Sequence, residues 1–191
     1  NDLAKAASKP ELMCSPDDLV KLLGKMEKQK DQEWAIIKGV SNLFDSNRTE
    51  CLDPLFAALE GNESFKHLKD SAIKGAIKGG SSHGNILIVE CFHDHPAVTS
   101  EDYAYGLICS GHTSTQDPMF IFLLGEADQD DLNAVKKDGW YKYKLNEFKD
   151  AIVKALLIAK PGGTRSTLPI QRAELVMKTF QKNPMMGIPT V

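Results

Sequence analysis

The chain is bounded first by what it lacks. No run approaches the roughly 18 consecutive apolar residues of a membrane-spanning helix. The first residues do not follow the charged, apolar, small-residue order of a secretory signal. Neither sign of charge dominates: 23 basic and 26 acidic residues leave a net charge of -3 and a pI near 6.0. That balance carries no broad basic face to neutralise phosphates, so nucleic acid is excluded as a dedicated partner. The four cysteines, at positions 14, 51, 91 and 109, have neither the tight spacing of a disulfide scaffold nor that of a zinc knuckle. Reduced thiols and a soluble, cytoplasmic protein with no membrane partner are therefore expected. No internal repeat, heptad array or low-complexity tract stands out.

What is present is the composition of a globular domain. At 42% hydrophobic and 26% charged over 191 residues, one well-buried core is within reach. We expect a single domain over residues 1–191, with tail-like segments at 1–9 and 183–191. Up to Gly79, apolar residues recur at helical spacing: Leu19, Leu22, Leu23 and Met26; Trp34, Ile37, Val40 and Phe44; Leu52, Leu55, Phe56 and Leu59; Phe65, Leu68, Ala72 and Ile73. This periodicity predicts an N-terminal helical part over about 16–78. Its first helix should begin at Pro16, because Pro at the first helical position loses no hydrogen bond and Asp17 and Asp18 meet the positive end of the dipole.

The run Gly79-Gly80-Ser81-Ser82-His83-Gly84 breaks the helical period. After it, the nearly continuous apolar residues of 85–92 read as a buried strand. Further strands are expected at about 102–110, 118–124 and 139–143, giving an antiparallel sheet of three to four strands flanked by N-terminal and C-terminal helices. The fold class is then α+β. The acidic run from Glu126 to Asp131 lacks the ligand alternation of a calcium loop and suits the N-terminus of a short helix over 128–137. Trp140, Tyr141 and Tyr143 divide between two faces of the last strand, one packed and one available for contact.

Three constellations carry chemistry. Cys91, His93 and His95 alternate, so on a strand they share a face, and Cys109 or His112 would come from the next strand. Zinc takes such ligands, and it is the one cofactor the residues admit. Second, Cys51 near a helix start, followed by His112 and Asp117, has the order of a papain-like thiol hydrolase or acyltransferase, in which a helix dipole lowers the thiol pKa and a histidine serves as base. Third, Lys160, Gly162, Gly163, Arg165 and Ser166 combine exposed backbone N–H groups, a hydroxyl and cations ahead of a helix, an arrangement that receives anions.

None of these completes a motif. The reading that asks least of the residues is a binding or interaction module that engages a protein partner or an anionic small ligand. A Cys51 enzyme and a zinc-stabilised domain stand as alternatives.

Overall fold

The computed structural model describes residues 2–110 and 117–137. Among the described residues there are α-helices and one short 3-10 turn, and no strand. The chain divides into two compact units, Asn1–Val98 and Thr99–Val191. The expected α+β sheet is overturned. The segments expected as strands at 85–92, 102–110 and 118–124 are helices, and the one at 139–143 lies outside the described residues.

In the first unit the order is α1 (Asp2–Ala7), α2 (Pro10–Met13), α3 (Pro16–Leu23), α4 (Gln29–Asp45), a 3-10 turn (Thr49–Cys51), α5 (Leu52–Glu60), α6 (Leu68–Ser82) and α7 (Ile86–Phe92). The first residues, read as a tail, form α1 with Ala4 and Ala7 buried. Helix α3 begins at Pro16 as the sequence indicated, with Asp17 and Asp18 in its first turn. Ser15 does not cap the backbone there. Its hydroxyl donates instead to Asp18 at 3.0 Å, and with Lys21 it draws the Asp18 carboxyl below its ordinary value, Lys21 contributing most.

Helices α4 and α6 form the centre of this unit. Val40 and the Ile37 carbonyl of α4 lie against Gly75, and Phe44 lies against Gly79. Both helices therefore run in the same direction, with α5 making the return between them. The contact is close because α6 has no Cβ where it meets α4. A Cβ on Gly75 would sit 2.7 Å from the Ile37 oxygen and 2.8 Å from the Val40 Cβ. One on Gly79 would run into the Phe44 ring, and one on Gly39 of α4 into the Met13 side chain. The run from Gly79, read as a helix break, is thus the last turn of α6. The helix stops only at Ser82, ahead of Gly84 at φ 69°. Glycine costs helix propensity, about 1 kcal/mol per position, and here that cost is offset by backbone-to-side-chain packing.

Side chains close the ends. His83 places Nδ1 2.9 Å from the Gly79 carbonyl and Nε2 3.1 Å from Asp45, tying the C-terminal ends of α4 and α6 together. Asn85 accepts from the Ile88 N–H at 3.3 Å, which starts α7. That cap explains the error over 85–92: a short apolar run has no period that separates strand from helix, and Asn85 decides it. Phe92 then stacks on Phe56 of α5 with centroids 5.4 Å apart. A disulfide joins Cys14, at the end of α2, to Cys51 in the 3-10 turn, across 37 residues. This corrects the expectation of four reduced thiols.

The second unit contains α8 (Ser100–Ser110), α9 (Asp117–Glu126) and α10 (Gln129–Lys137). Two reciprocal caps define it. The Asp102 carboxylate accepts from the Thr99 N–H at 3.1 Å and hydroxyl at 2.9 Å. Asp128 accepts from the Asp131 N–H while Asp131 accepts from the Asp128 N–H, each at 2.9 Å. The helix expected over 128–137, with its acidic cap, is present. Ser100 at the start of α8 bonds to Asp131 at the start of α10, so these two helices also run parallel. Met119, Phe120, Leu123 and Leu124 of α9 are buried, as are Leu132 and Val135 of α10.

Two outcomes are expected. Gly75→Ala should destabilise the chain by about 1–3 kcal/mol through overpacking, read from urea unfolding. Gly24→Ala, whose Cβ meets nothing nearer than 3.5 Å, should be neutral; equal effects would refute the close-packing account. The second concerns Asp131, whose carboxyl is pushed above its ordinary value by burial, against the hydrogen bonds from Asp128 and Ser100. The folded chain then binds this proton at higher pH than the unfolded chain. Its contribution to stability falls as pH rises from the ordinary carboxylate value through the raised folded one. The stability difference between wild type and Asp131→Asn should decline across that window, and a pH-independent difference would exclude it.

Candidate functional site

The structure separates most of the residues that the sequence grouped. Cys91 is exposed on α7 and Cys109 half-buried on α8, so neither lies on a strand. His93 points Nδ1 at the Glu90 carbonyl at 2.8 Å and Nε2 at Asp94 at 3.3 Å. His95 accepts from the Ala97 N–H at 3.2 Å. Cys91 lies on α7, His93 caps its C-terminal end and His95 lies beyond it, so the alternation that would put the three on one face of a strand is absent. Among the described residues no group of three His, Cys, Asp or Glu side chains converges on a metal position. His112 lies outside them.

Cys51 is in the disulfide, nearly buried at 8% exposure. Its sulfur is bonded to Cys14 and has no thiolate to offer while that bond stands. His112 and the side chain of Asp117 are outside the described residues, as are Lys160, Gly162, Gly163, Arg165 and Ser166. Among the described residues no helix is long and apolar enough to cross a membrane.

What the structure does bring together is surface. A groove of about 330 Å³ is lined by Leu3 of α1, by Lys25, Met26, Glu27 and Lys28 of the α3–α4 loop, and by Asp31 of α4. Gln32 fixes that loop from beneath, its amide donating to the Leu23 and Met26 carbonyls at 3.0 and 3.2 Å. The lining holds two cations and two anions around two apolar side chains. Enclosed small-molecule sites of roughly 300–1,000 Å³ are mostly apolar, so this groove resembles the polar rim of a contact surface.

Trp34, one turn along α4 from Asp31, is 47% exposed. Sequence periodicity grouped it with Ile37, Val40 and Phe44 as one apolar face. Only Val40 and Phe44 are buried, together with Ala35, Ile36, Gly39 and Leu43. The buried stripe of α4 is centred on 36, 40 and 43, and Trp34 falls beside it. Leu87 on α7 at 75% and Tyr105 on α8 at 40% are the other large exposed apolar or aromatic side chains on the later helices. In the second unit a smaller groove of about 190 Å³ runs between Glu101 and Ala104 of α8 and Ala134 and Lys137 of α10. Exposed Trp and Tyr are the side chains most often found at the energetic centres of protein interfaces.

Nothing in the comparisons supplies a relative: no protein-family model, curated protein or solved structure matches this chain.

The disulfide gives a direct check. Without reductant, iodoacetamide should modify Cys91 rapidly and Cys109 slowly, leaving Cys14 and Cys51 untouched in a peptide map. Reduction should lower stability by about 4 kcal/mol, the loop-closure value for a 37-residue link. Four reactive thiols in protein trapped with acid from its native source would refute the pairing.

Proposed function

We propose that this chain is a protein-interaction module built from successive helix pairs. The observation that carries the reading is a repeated arrangement. In each unit a helix is followed by a shorter or antiparallel return and then by a second helix parallel to the first: α4, α5 and α6 in one unit, α8, α9 and α10 in the other. Helix α8 starts 32 residues after α6, at Ser100 against Leu68, and α9 starts 31 after α7, at Asp117 against Ile86.

Burial coincides at four positions of that register and differs at others, Ile73 being buried where Tyr105 is exposed. Ser71, Ala72, Gly75 and Ala76 are buried in α6, and Tyr103, Ala104, Leu107 and Ile108 in α8. Sequence identity across the 32-residue register is sparse: Asp70 and Asp102, Ala72 and Ala104, Gly79 and Gly111, with Asn85 and Asp117 both of helix-starting type. A spacing of 31–32 residues spanning two helices falls in the range of helical-repeat proteins, which commonly bind other proteins.

The exposed Trp34 and Leu87 supply anchors on the first unit, and the exposed Tyr105 supplies one on the second. The anionic-ligand version of this reading rests on Lys160, Gly162, Gly163, Arg165 and Ser166, and the described helices add no cradle for it. A thiol hydrolase would require Cys51 to be released from Cys14 before any chemistry. The disulfide also favours an oxidising compartment over the cytoplasm, because such bonds persist where thiols are not held reduced.

The test replaces Trp34 with a photo-crosslinking phenylalanine analogue and, as control, Glu63, which is 89% exposed on the α5–α6 loop. Irradiation in the native fluid or extract should give a protein adduct from position 34 that excess unmodified chain suppresses, and none from position 63. Absence of a competed adduct from positions 34, 87 and 105 alike would sink the interaction reading.

A further inference from the structure

Two short sequence patterns lie at either end of α5. Asn47-Arg48-Thr49 runs from the end of α4 into the 3-10 turn, and Asn62-Glu63-Ser64 lies between α5 and α6. Both fit Asn-X-Ser/Thr with X other than Pro, the acceptor pattern for N-linked oligosaccharide. A pattern this short recurs by chance, so its weight comes from where it sits and in what compartment the chain folds.

Asn47 is exposed just past α4, at φ 54°. Backbone alone closes the helix there: the Asn47 N–H donates to the Phe44 carbonyl at 3.2 Å and the Arg48 N–H to the Leu43 carbonyl at 2.8 Å. Asparagine tolerates that left-handed conformation, and its carboxamide makes no hydrogen bond among the described residues. Asn62 is half-buried, and its carboxamide oxygen accepts from the Ser64 N–H at 3.0 Å. Its Nδ2, the atom that would carry a sugar, stays outside that bond. Between the two, α5 turns Leu52, Leu55 and Leu59 inward and Asp53, Pro54, Ala57 and Glu60 outward. No large apolar side chain is exposed from 46 to 66, whereas Leu3, Trp34 and Leu87 are exposed on other helices of this unit. Bulky, hydrated sugar can therefore stand at both ends of α5 without displacing a packed group.

The bond from Cys14 to Cys51 is independent of the pattern and points to the same compartment. Disulfides persist where secreted and cell-surface chains fold, and it is in such chains that the pattern is used. We propose that Asn47 and Asn62 carry N-linked oligosaccharides, received from a lipid-diphosphate-linked donor. In that transfer Nδ2 bonds to C1 of the first sugar, the C1–O bond to the diphosphate breaks, the lipid diphosphate leaves, and Nδ2 gives up one proton to a base of the transferring enzyme. The acceptor is the extended nascent chain, so the half-burial of Thr49 in the folded 3-10 turn is no obstacle. This goes beyond the interaction reading and rests on the disulfide. It also keeps partners off the α5 side and leaves the helices that expose Leu3, Trp34 and Leu87 to receive them.

The test takes the chain from its native source, traps it with acid, digests it without reduction and treats the peptides with a peptide-N-glycosidase in water enriched in heavy oxygen. Positions 47 and 62 should appear as aspartate carrying the heavy oxygen, only after glycosidase, and the peptides of Cys14 and Cys51 should appear linked in the same map. In a secretory expression host, Thr49→Ala should remove one oligosaccharide and Ser64→Ala the other, each a single step in gel mobility, while Thr49→Ser should keep the first. That conservative variant separates loss of the acceptor from loss of the fold. Bare Asn47 and Asn62 in native chain that holds the disulfide would overturn the proposal and leave the disulfide standing. Bare asparagines together with four free thiols would overturn both. Label at one position alone would overturn the assignment of the other.

Discussion

Everything in the first unit is placed by the close approach of α6 to α4. Because Gly75 and Gly79 present backbone to Val40 and Phe44, the two axes come nearer than paired Leu or Ile would permit. Dispersion falls away within fractions of an ångström, so this contact stabilises only if no Cβ intervenes. The same logic operates on the other side of α4, where Gly39 receives Met13 of α2. One helix is thus gripped from two directions through positions that have no side chain of their own. The rest arranges itself around that axis. Asn42 of α4 donates to the Ser8 carbonyl at 3.0 Å, His83 ties the C-terminal ends of α4 and α6, and the disulfide closes α2 onto the turn before α5.

This explains which parts of the fold were legible in the sequence. Helix α3 could be read because its signal is local: Pro16 and two acids in the first turn. Helix α10 could be read for the same reason, from Asp128 and Asp131. The error at 79–92 came from giving composition more weight than position. Two glycines and two serines look like a breaker, yet at Gly75 and Gly79 they continue a four-residue spacing that marks a helix-packing face. The apolar run that follows has strand-like residues, but Asn85 stands where a cap belongs. At Thr99 and Asp102 the same reciprocal cap precedes α8. Caps and small-residue spacing, read together, would have given helices where hydrophobicity alone gave a sheet.

The disulfide could not be read in the same way. Cys14 and Cys51 are 37 residues apart, and a spacing of that size carries no pairing information. Only the packing of α2 against α4, and of α3 against α5, brings the two sulfurs together.

The same principle separates the surface of α4 from its core. Trp34 and Ile37 extend the apolar pattern of Val40 and Phe44, and sequence periodicity assigns all four to one face. Gly39 breaks that equivalence: by admitting Met13, it rotates the buried stripe toward Ala35, Ile36 and Leu43 and leaves Trp34 at the margin, 47% exposed. An aromatic in that position costs solvation in the free chain and is retained on a helix whose orientation is fixed from both sides. A contact surface carried on such a helix loses little conformational freedom when it is covered. The glycines that make the core tight are therefore also what holds the indole outward.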